Sequence, residues 1–174
     1  MPAHIRPTPN LVRKAIFDIL GQDLEGDEVL ELFAGSGALG LEALSYGADR
    51  VVLVEKDEKC LKVIETNIGL LKRGKAGAEA VHCEVYGLDA FAAVKFFAQK
   101  GRKFDIVLLD PPYDRELGKK ALNHLEAYDI LHATSVVVVQ HIRREILPER
   151  SGRIVLFREE DYGATRLSFY RIES

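Results

Sequence analysis

Gly35, Gly37 and Gly40 form the pattern G-x-G-x-x-G directly after a short apolar run. Glu55 follows at the end of the next apolar run, at about the distance that nucleotide-binding folds require. Glycine lets the backbone turn tightly and approach a ligand closely, and the later carboxylate can accept hydrogen bonds from two ribose hydroxyls. This spacing predicts a bound nucleoside at the end of a strand, but alone it does not separate a dinucleotide from other adenosine cofactors.

Glu31 narrows the choice of cofactor. It lies four positions before Gly35 and inside the preceding apolar run. A carboxylate there would repel a pyrophosphate and attract the ammonium group of a methionine moiety. We therefore expect S-adenosylmethionine rather than NAD. The candidates for cofactor binding are Glu31, Phe33, Ala34, Gly35, Ser36, Gly37, Glu55, Lys56, Leu88 and Asp89.

Asp89 has two interpretations. It opens a predicted helix, where aspartate is an ordinary N-cap residue that accepts hydrogen bonds from backbone N–H groups. Alternatively, its carboxylate accepts a hydrogen bond from an adenine amino group while Leu88 packs on the ring. The two roles are compatible, and the sequence does not choose between them.

A second motif, Asp110-Pro111-Pro112-Tyr113, follows a run of apolar residues. Two consecutive prolines fix two φ angles and remove two backbone donors, so the loop cannot rejoin a sheet and forms a rigid set of acceptors. An exocyclic amine on a base is a poor nucleophile, because its lone pair is delocalised into the ring. We expect Asp110 and the Pro111 carbonyl to accept its two hydrogens and Tyr113 to stack on the base. These four residues are the catalytic candidates.

The double-proline motif would be no more than a stiff turn in an arbitrary globular chain. Here it follows a strand that is expected to lie beside the glycine loop, which favours a catalytic role. Positive charge grows on the amine nitrogen as a methyl group moves to it. A fixed carboxylate such as that of Asp110 therefore stabilises the transition state more than the ground state.

Apolar periodicity places both motifs on an α/β fold. The predicted helices are 9–20, 37–46, 57–71, 89–100 and 115–128, and the predicted strands are 28–33, 50–55, 80–83, 104–110, 135–140, 154–158 and 165–171. Only a turn at 161–163 separates the last two strands, so these should pair antiparallel. We predict a doubly wound, Rossmann-like mixed sheet with helices on both faces, whose ligands bind beyond the carboxyl ends of the strands.

The composition is that of a globular protein, with 174 residues, 47% hydrophobic and 29% charged. We expect a single domain over 1–174, in which the segment 1–20 and its helix pack on the core. No apolar run is long enough to span a bilayer and no signal pattern begins the chain, so we expect a cytoplasmic monomer that binds neither membrane nor metal. Cys60 and Cys83 match no metal or redox spacing and are expected to be packing groups.

The net charge of −3 makes any contact with nucleic acid a local one. Basic residues cluster in two places, within the first fourteen residues and around Arg143, Arg144, Arg150 and Arg153. Such clusters are usually solvated surface unless a neighbouring site makes use of them.

Several blocks of the chain resemble the D family of 16S ribosomal RNA guanine-N2 methyltransferases, within the class I methyltransferases that use S-adenosylmethionine. The shared blocks run from Arg6 to Tyr170: Arg6-Pro7-Thr8, 12–17, 32–40, Glu55, Asp110-Pro111-Pro112-Tyr113, and Tyr162-Gly163 with Thr165, Leu167 and Tyr170. The opening Arg-Pro-Thr block and the closing Tyr-Gly-x-Thr-x-Leu block are the most specific of these.

The resemblance implies more than the residues do by themselves. It implies a seven-stranded sheet in the order 3-2-1-4-5-7-6, and the N2 amine of a guanine in small-subunit ribosomal RNA as the methyl acceptor. It implies ribosomal RNA or the small subunit as partner, contacted by Arg6, Thr8, Arg13 and Tyr113.

This chain departs from the family pattern at a few positions. Glu31 and Asn10 stand where the family usually has aspartate, and Gln140 where glutamate is common. The family also carries a basic segment before Arg6, where this sequence has five residues, and RNA affinity or substrate choice would change without that segment.

Four other functions are weighed against this one. Methyl transfer to adenine N6 uses the same chemistry, but a chain this short lacks a separate DNA-recognition domain. A protein glutamine amide as acceptor is less favoured, because Asp110 stands where asparagine would be expected. An NAD-dependent oxidoreductase would have to accommodate Glu31 and has no evident hydride-transfer partner. An RNA scaffold without catalysis would have no need of Asp110 and Tyr113.

Overall fold

The computed structural model describes residues 10–74, 81–112 and 116–174. The helices in these ranges are α1 (Asn10–Leu20), α2 (Ala38–Ser45), α3 (Glu58–Gly74), α4 (Ala90–Gln99) and α5 (Leu117–Ala127). The strands are β1 (Glu28–Leu32), β2 (Arg50–Val54), β3 (Cys83–Tyr86), β4 (Phe104–Leu109), β5 (Leu131–Ile142), β6 (Arg150–Ser151), β7 (Ile154–Tyr162) and β8 (Thr165–Ile172). They form one sheet in the order β3-β2-β1-β4-β5-β8-β7-β6.

The half of the sheet that contains β1 to β5 is parallel. Strands β2 and β4 are almost wholly apolar and buried, as strands covered on both faces must be. Because the strands are parallel, the residues that follow β1 to β5 meet at one edge, which we call the carboxyl edge. Leu32 pairs with Val54 on one side and Leu109 on the other, so the residues after β1 lie between those after β2 and β4.

The last strands run antiparallel, as predicted. Strand β8 lies between β5 and β7 and is antiparallel to both. The predicted strand order is confirmed for the seven longer strands, and the two-residue β6 adds an eighth at the edge. Strand β7 extends beyond its predicted end at 158, because it remains paired with β8 as far as Tyr162 opposite Thr165.

Strand β3 lies later in the chain than predicted. It spans Cys83–Tyr86, whereas the apolar run suggested 80–83. All four of its residues are half-buried, since β3 is an edge strand of the sheet. Glu84 is accommodated there because Arg102 donates two hydrogen bonds to its carboxylate, at 3.0 and 3.2 Å. The prediction was wrong because an edge strand does not require a continuous apolar run.

Helices cover both faces of the sheet, as predicted. Helices α4 and α5 pack on the face that carries Leu30 and Val107. Helices α1, α2 and α3 pack on the opposite face, which carries Val29 and Leu108. Within the described ranges, no helix combines the length and the apolar character that a membrane span needs.

Candidate active site

The turn between β1 and α2 holds an unusual backbone conformation. Phe33, Gly35 and Gly37 all have positive φ, at 58°, 58° and 79°. Glycine adopts this region freely, but a phenylalanine there costs about 1–3 kcal/mol and persists only when its surroundings enforce it. The ring of Phe33 is held by an edge-on contact with Phe91, 5.9 Å between centroids. The backbone N–H of Ala34 donates to the Val54 carbonyl at 2.9 Å, which ties the turn to β2.

Glu55 closes this turn from the neighbouring strand. Its Oε1 accepts a hydrogen bond from the Gly35 N–H at 2.9 Å, and its Oε2 accepts one from the Asp57 N–H at 2.8 Å. Each carboxylate oxygen can accept a further hydrogen bond. Glu55 is half-buried, so it lies against the glycine loop and remains accessible to a ligand.

Asn67 is a residue of this site that the sequence analysis missed. Its side-chain Nδ2 donates to the Ser36 carbonyl at 3.0 Å, and this hydrogen bond ties the glycine loop to α3. In the sequence, Asn67 is only a polar residue within a predicted helix, and such residues are too common to be assigned a role.

Glu31 is almost completely buried, at 2% exposure. Its Oε2 accepts a hydrogen bond from the backbone N–H of Gly40 at 3.1 Å. That N–H belongs to the first turn of α2, where backbone donors have no partner within the helix, and the N-cap Gly37 offers no side chain for them. Gly40 itself permits this contact, because a side chain there would collide with Leu53 and Val51.

Burial raises the pKa of the Glu31 carboxyl well above its usual range. The Gly40 hydrogen bond opposes the shift, whereas the negative charges of Asp110 and Glu55 add to it. The ends of β1, β2 and β4 therefore bring three carboxyl groups to a single corner of the carboxyl edge, where Asp110 and Glu55 act on Glu31. A positively charged group bound beside Glu31 would favour the ionised form of its carboxyl group.

Asp89 is the N-cap of α4, which confirms one of its two interpretations. Its Oδ2 accepts hydrogen bonds from the N–H groups of Phe91 and Ala92, at 3.0 and 3.2 Å. Both bonds go to the same oxygen, so Oδ1 points elsewhere, and a contact with adenine stays a prediction. Leu88, the residue before it, is partly buried against the core on the α4 side.

Asp110, Pro111 and Pro112 follow β4 directly. Because β4 pairs with β1, and neighbouring strands lie about 4.8 Å apart, this corner adjoins the glycine loop. Pro111 is buried and Pro112 is exposed, so the chain leaves the sheet here. Tyr113 lies outside the described residues, so its stacking role stays a prediction.

Of the four residues predicted to contact RNA, Arg13 lies within the described residues. Arg6 and Thr8, like Tyr113, lie outside them. Arg13 lies on α1, and its Nη2 donates to Asn10 Oδ1 at 2.6 Å. Its Nε lies 3.7 Å from Glu42 Oε2 on α2, so it connects the two helices. Its RNA contact stays a prediction, as does cofactor binding by Lys56, which is exposed directly after Glu55.

A buried polar group lies on the neighbouring strands and was not anticipated. His141, near the end of β5, contacts Ser168 Oγ through Nε2 at 2.8 Å and the Ile142 carbonyl through Nδ1 at 3.0 Å. Burial lowers the pKa of His141 below its usual value. Because the Ile142 carbonyl can only accept, Nδ1 carries a proton. Ser168 Oγ, the partner of Nε2, also lies 3.4 Å from Glu159 Oε2.

Within the described residues, neither the cysteines nor a cluster of metal-ligating side chains forms a further site. Cys60 is buried and burial raises its pKa to about 12, while burial raises the pKa of Cys83 to about 11. Both are consistent with packing groups rather than nucleophiles. Among residues 10–74, 81–112 and 116–174, no three His, Cys, Asp or Glu side chains come together as a metal site would require.

The chain is similar to a well-populated group of proteins. A family model described as conserved hypothetical protein 95 matches residues 2–171. Putative rRNA methyltransferase YlbH of Bacillus subtilis is 36% identical over 166 residues, which cover 95% of this chain and 87% of that protein. Ribosomal RNA small subunit methyltransferase D of Escherichia coli is 34% identical over 170 residues, covering 98% and 81%. The solved structure of putative methyltransferase yhhF from Escherichia coli matches with a TM-score of 0.81 at 34% identity, covering 99% of this chain and 90% of that chain.

Proposed function

Since the chain belongs to the conserved hypothetical protein 95 family and is 34% identical to ribosomal RNA small subunit methyltransferase D of Escherichia coli, we propose that it transfers a methyl group from S-adenosylmethionine to the exocyclic N2 amine of a guanine in small-subunit ribosomal RNA. One observation carries the proposal. The glycine loop after β1 and the double-proline corner after β4 are neighbours on the carboxyl edge, and the charges of Glu55 and Asp110 act on Glu31 there. A methyl donor and an acceptor amine would have to meet at such a corner.

The residues present fit the proposed cofactor. S-adenosylmethionine carries an ammonium and a sulfonium charge, which the carboxyl groups of Glu31 and Glu55 at this corner would attract. Glu31 is buried with a raised pKa, so a bound cation would stabilise its ionised form. A pyrophosphate would meet the same carboxylates with an unfavourable interaction, which is the main reason to prefer this cofactor to NAD.

Each side chain has a role in the proposed reaction. When bound, S-adenosylmethionine supplies a methyl group on an electron-poor sulfur. Glu31 holds the ammonium end, Glu55 accepts hydrogen bonds from the ribose hydroxyls, and the turn held by Phe33 keeps the glycine loop in position. Positioning of this kind is worth about 7–11 kcal/mol at most in intramolecular reactions.

Asp110 and the Pro111 carbonyl act on the acceptor. They accept the two hydrogens of the exocyclic amine, which favours the pyramidal nitrogen with an available lone pair. As the methyl group leaves the sulfur, which keeps the electron pair of the broken S–C bond, the new N–C bond forms. The nitrogen becomes positive, and the Asp110 carboxylate stabilises it. The surplus proton then passes to Asp110 and on to solvent, which the half-buried position of this residue permits.

The choice of guanine N2 in small-subunit RNA as the acceptor is the most specific part of the proposal. Guanine N2 is supported by the resemblance of the opening and closing sequence blocks to the D family. Small-subunit RNA is also supported by the similarity to ribosomal RNA small subunit methyltransferase D of Escherichia coli. Adenine N6 is the second candidate acceptor, since this exocyclic amine can donate its two hydrogens to the same two oxygens. Ribosomal RNA or the small subunit is the proposed partner, and the proposed state is a cytoplasmic monomer.

The test is a direct identification of the product. Small subunits that lack base methylation are incubated with the protein and labelled S-adenosylmethionine, and the RNA is digested to nucleosides for mass spectrometry. We expect label in N2-methylguanosine. Label in N6-methyladenosine would show that adenine N6 is the acceptor instead. If the protein binds S-adenosylhomocysteine but no labelled nucleoside is found, the proposal is refuted.

A further inference from the structure

The segment that follows β5 is anchored on both sides of residue 146. The Arg143 N–H donates to the Ala164 carbonyl at 2.8 Å, which binds the segment to the β7–β8 turn. The Glu145 N–H donates to the Ile142 carbonyl at 2.9 Å. Beyond it, Leu147 is only 7% exposed in the core, and the hydroxyl of Tyr170 donates to the Pro148 carbonyl at 2.8 Å. We call residues 143–148 the anchored loop.

Ile146 stands out from this loop into solvent. It is 87% exposed, the highest value among the large apolar side chains of the described residues. The residues next to it are fixed by hydrogen bonds and core packing, so an ordered backbone presents this side chain to solvent. Arg143 and Arg144 are exposed in the same loop.

The anchored loop lies on the substrate side of the proposed active site. Strand β5 is parallel to β4, with Val139 paired to Leu109, so both strands end at the carboxyl edge. Asp110 therefore lies between the glycine loop on the β1 side and the anchored loop on the β5 side. With the proposed cofactor on the β1 side, we expect RNA to reach Asp110 from the β5 side.

We infer that Ile146 is a wedge that occupies the place of the target base in the RNA stack, while Arg143 and Arg144 hold the flanking phosphates. The inference rests on the proposed function. An enzyme that modifies a base must take it out of its stack, and proteins that unstack bases insert exposed apolar side chains between them. Arginine beside such a side chain supplies the phosphate contact that holds the strand.

The ion pair of Arg143 does not prevent this contact. Its Nε lies 3.2 Å from Asp161 Oδ2, with the two side chains 60% and 33% exposed. Exposed pairs of this kind contribute little to stability, so a phosphate can replace or share the carboxylate. The substrate class that follows is RNA in which the target base is stacked before it binds, rather than an already unpaired base.

The test compares Ile146→Ala with a matched control, Leu70→Ala. Leu70 is also exposed, at 58%, but it lies near the end of α3, about 18 Å along the helix from its start at the carboxyl edge. Each variant is assayed on intact unmethylated small-subunit RNA and on a short single-stranded fragment that contains the target. Binding of S-adenosylhomocysteine is measured by calorimetry in parallel.

We expect Ile146→Ala to lower kcat/KM about tenfold or more on the intact RNA, because unstacking then lacks the wedge, and to leave the single-stranded fragment within about twofold. Leu70→Ala should match the wild type on both. Equal activity of Ile146→Ala and the wild type on intact RNA would overturn the inference, as would an equal loss on both substrates. A wild type that binds the cofactor product but methylates neither RNA would instead refute the proposed function, and the wedge with it.

The arginines give a second, separable readout. Replacing Arg143 and Arg144 by glutamine should weaken binding of both RNAs alike and reduce the slope of log affinity against log salt by about one unit for each phosphate that is no longer neutralised. An unchanged salt slope would remove the two arginines from the inference.

Discussion

Glu31→Gln separates the two roles that we assign to one buried carboxyl group. In the folded protein, Glu31 accepts a hydrogen bond from the Gly40 N–H at 3.1 Å, and an amide oxygen can accept the same bond. The substitution keeps the size of the side chain and this acceptor, but it removes the group that can ionise. The fold of the β1–α2 turn should therefore survive, whereas attraction for an ammonium group should not.

The expected size of the effect follows from the chemistry at this corner. A hydrogen bond to a charged group contributes about 1.5–3 kcal/mol, so S-adenosylhomocysteine should bind about 10- to 150-fold more weakly to the variant. Stability should change in the opposite direction. Because the folded-state pKa of Glu31 is raised, its neutral form stabilises the fold fully below the unfolded pKa, and this contribution is lost as pH rises through the folded pKa. The glutamine variant has no such loss.

Calorimetry with S-adenosylhomocysteine and urea unfolding between about pH 5 and 8 measure the two effects, with exposed Glu65→Gln on α3 as the matched control. The difference in unfolding free energy between variant and wild type should grow with pH, by at most about 1.4 kcal/mol per pH unit. An unchanged dissociation constant would refute the assignment of Glu31 to the cofactor. A variant that is less stable than the wild type at about pH 8 would refute the account of its burial.

Three further predictions concern single residues. Asp110→Ala should abolish methyl transfer and leave S-adenosylhomocysteine binding nearly unchanged, because the carboxylate faces the acceptor; turnover comparable to the wild type would rule out the proposed mechanism. Glu55→Ala should weaken cofactor binding and loosen the Gly35 turn, and an unchanged dissociation constant by calorimetry would contradict it. His141 has a lowered folded-state pKa, so its contribution to stability is lost as pH falls below the unfolded value of 6.5. The unfolding free energy of the wild type should therefore drop more steeply than that of His141→Gln between about pH 7.5 and 5.5, and parallel curves would show that the histidine is not the cause.

The parts of the fold that could be predicted are those in which burial on both faces leaves a continuous apolar run. Strands β2 and β4 are of this kind, and the two motifs that follow β1 and β4 were placed correctly at the same edge. Strand β3 was misplaced because it lies at the edge of the sheet, where Glu84 paired with Arg102 is as acceptable as an apolar residue. The two-residue β6 depends on pairing with β7 and has no pattern of its own.

The candidate site was predictable only where residue type and spacing carry the signal. The glycines and Glu55 belong to such a pattern. The contact of Glu31 with the first turn of α2 was not predictable, because it depends on how closely the helix approaches the strand at Gly40. The pairing of His141 with Ser168 joins positions 27 apart in the sequence, which come together only through the antiparallel register of β5 and β8.

Strand β8 lies inside the sheet, between β5 and β7, although it is the last strand of the chain. A nascent polypeptide would therefore expose one unpaired edge of β5 and one of β7 until β8 has emerged from the ribosome. Open strand edges of this kind pair readily with other chains, so the protein should be prone to aggregation until β8 has paired. Release of a chain truncated before residue 165 should yield aggregates instead of a smaller folded enzyme.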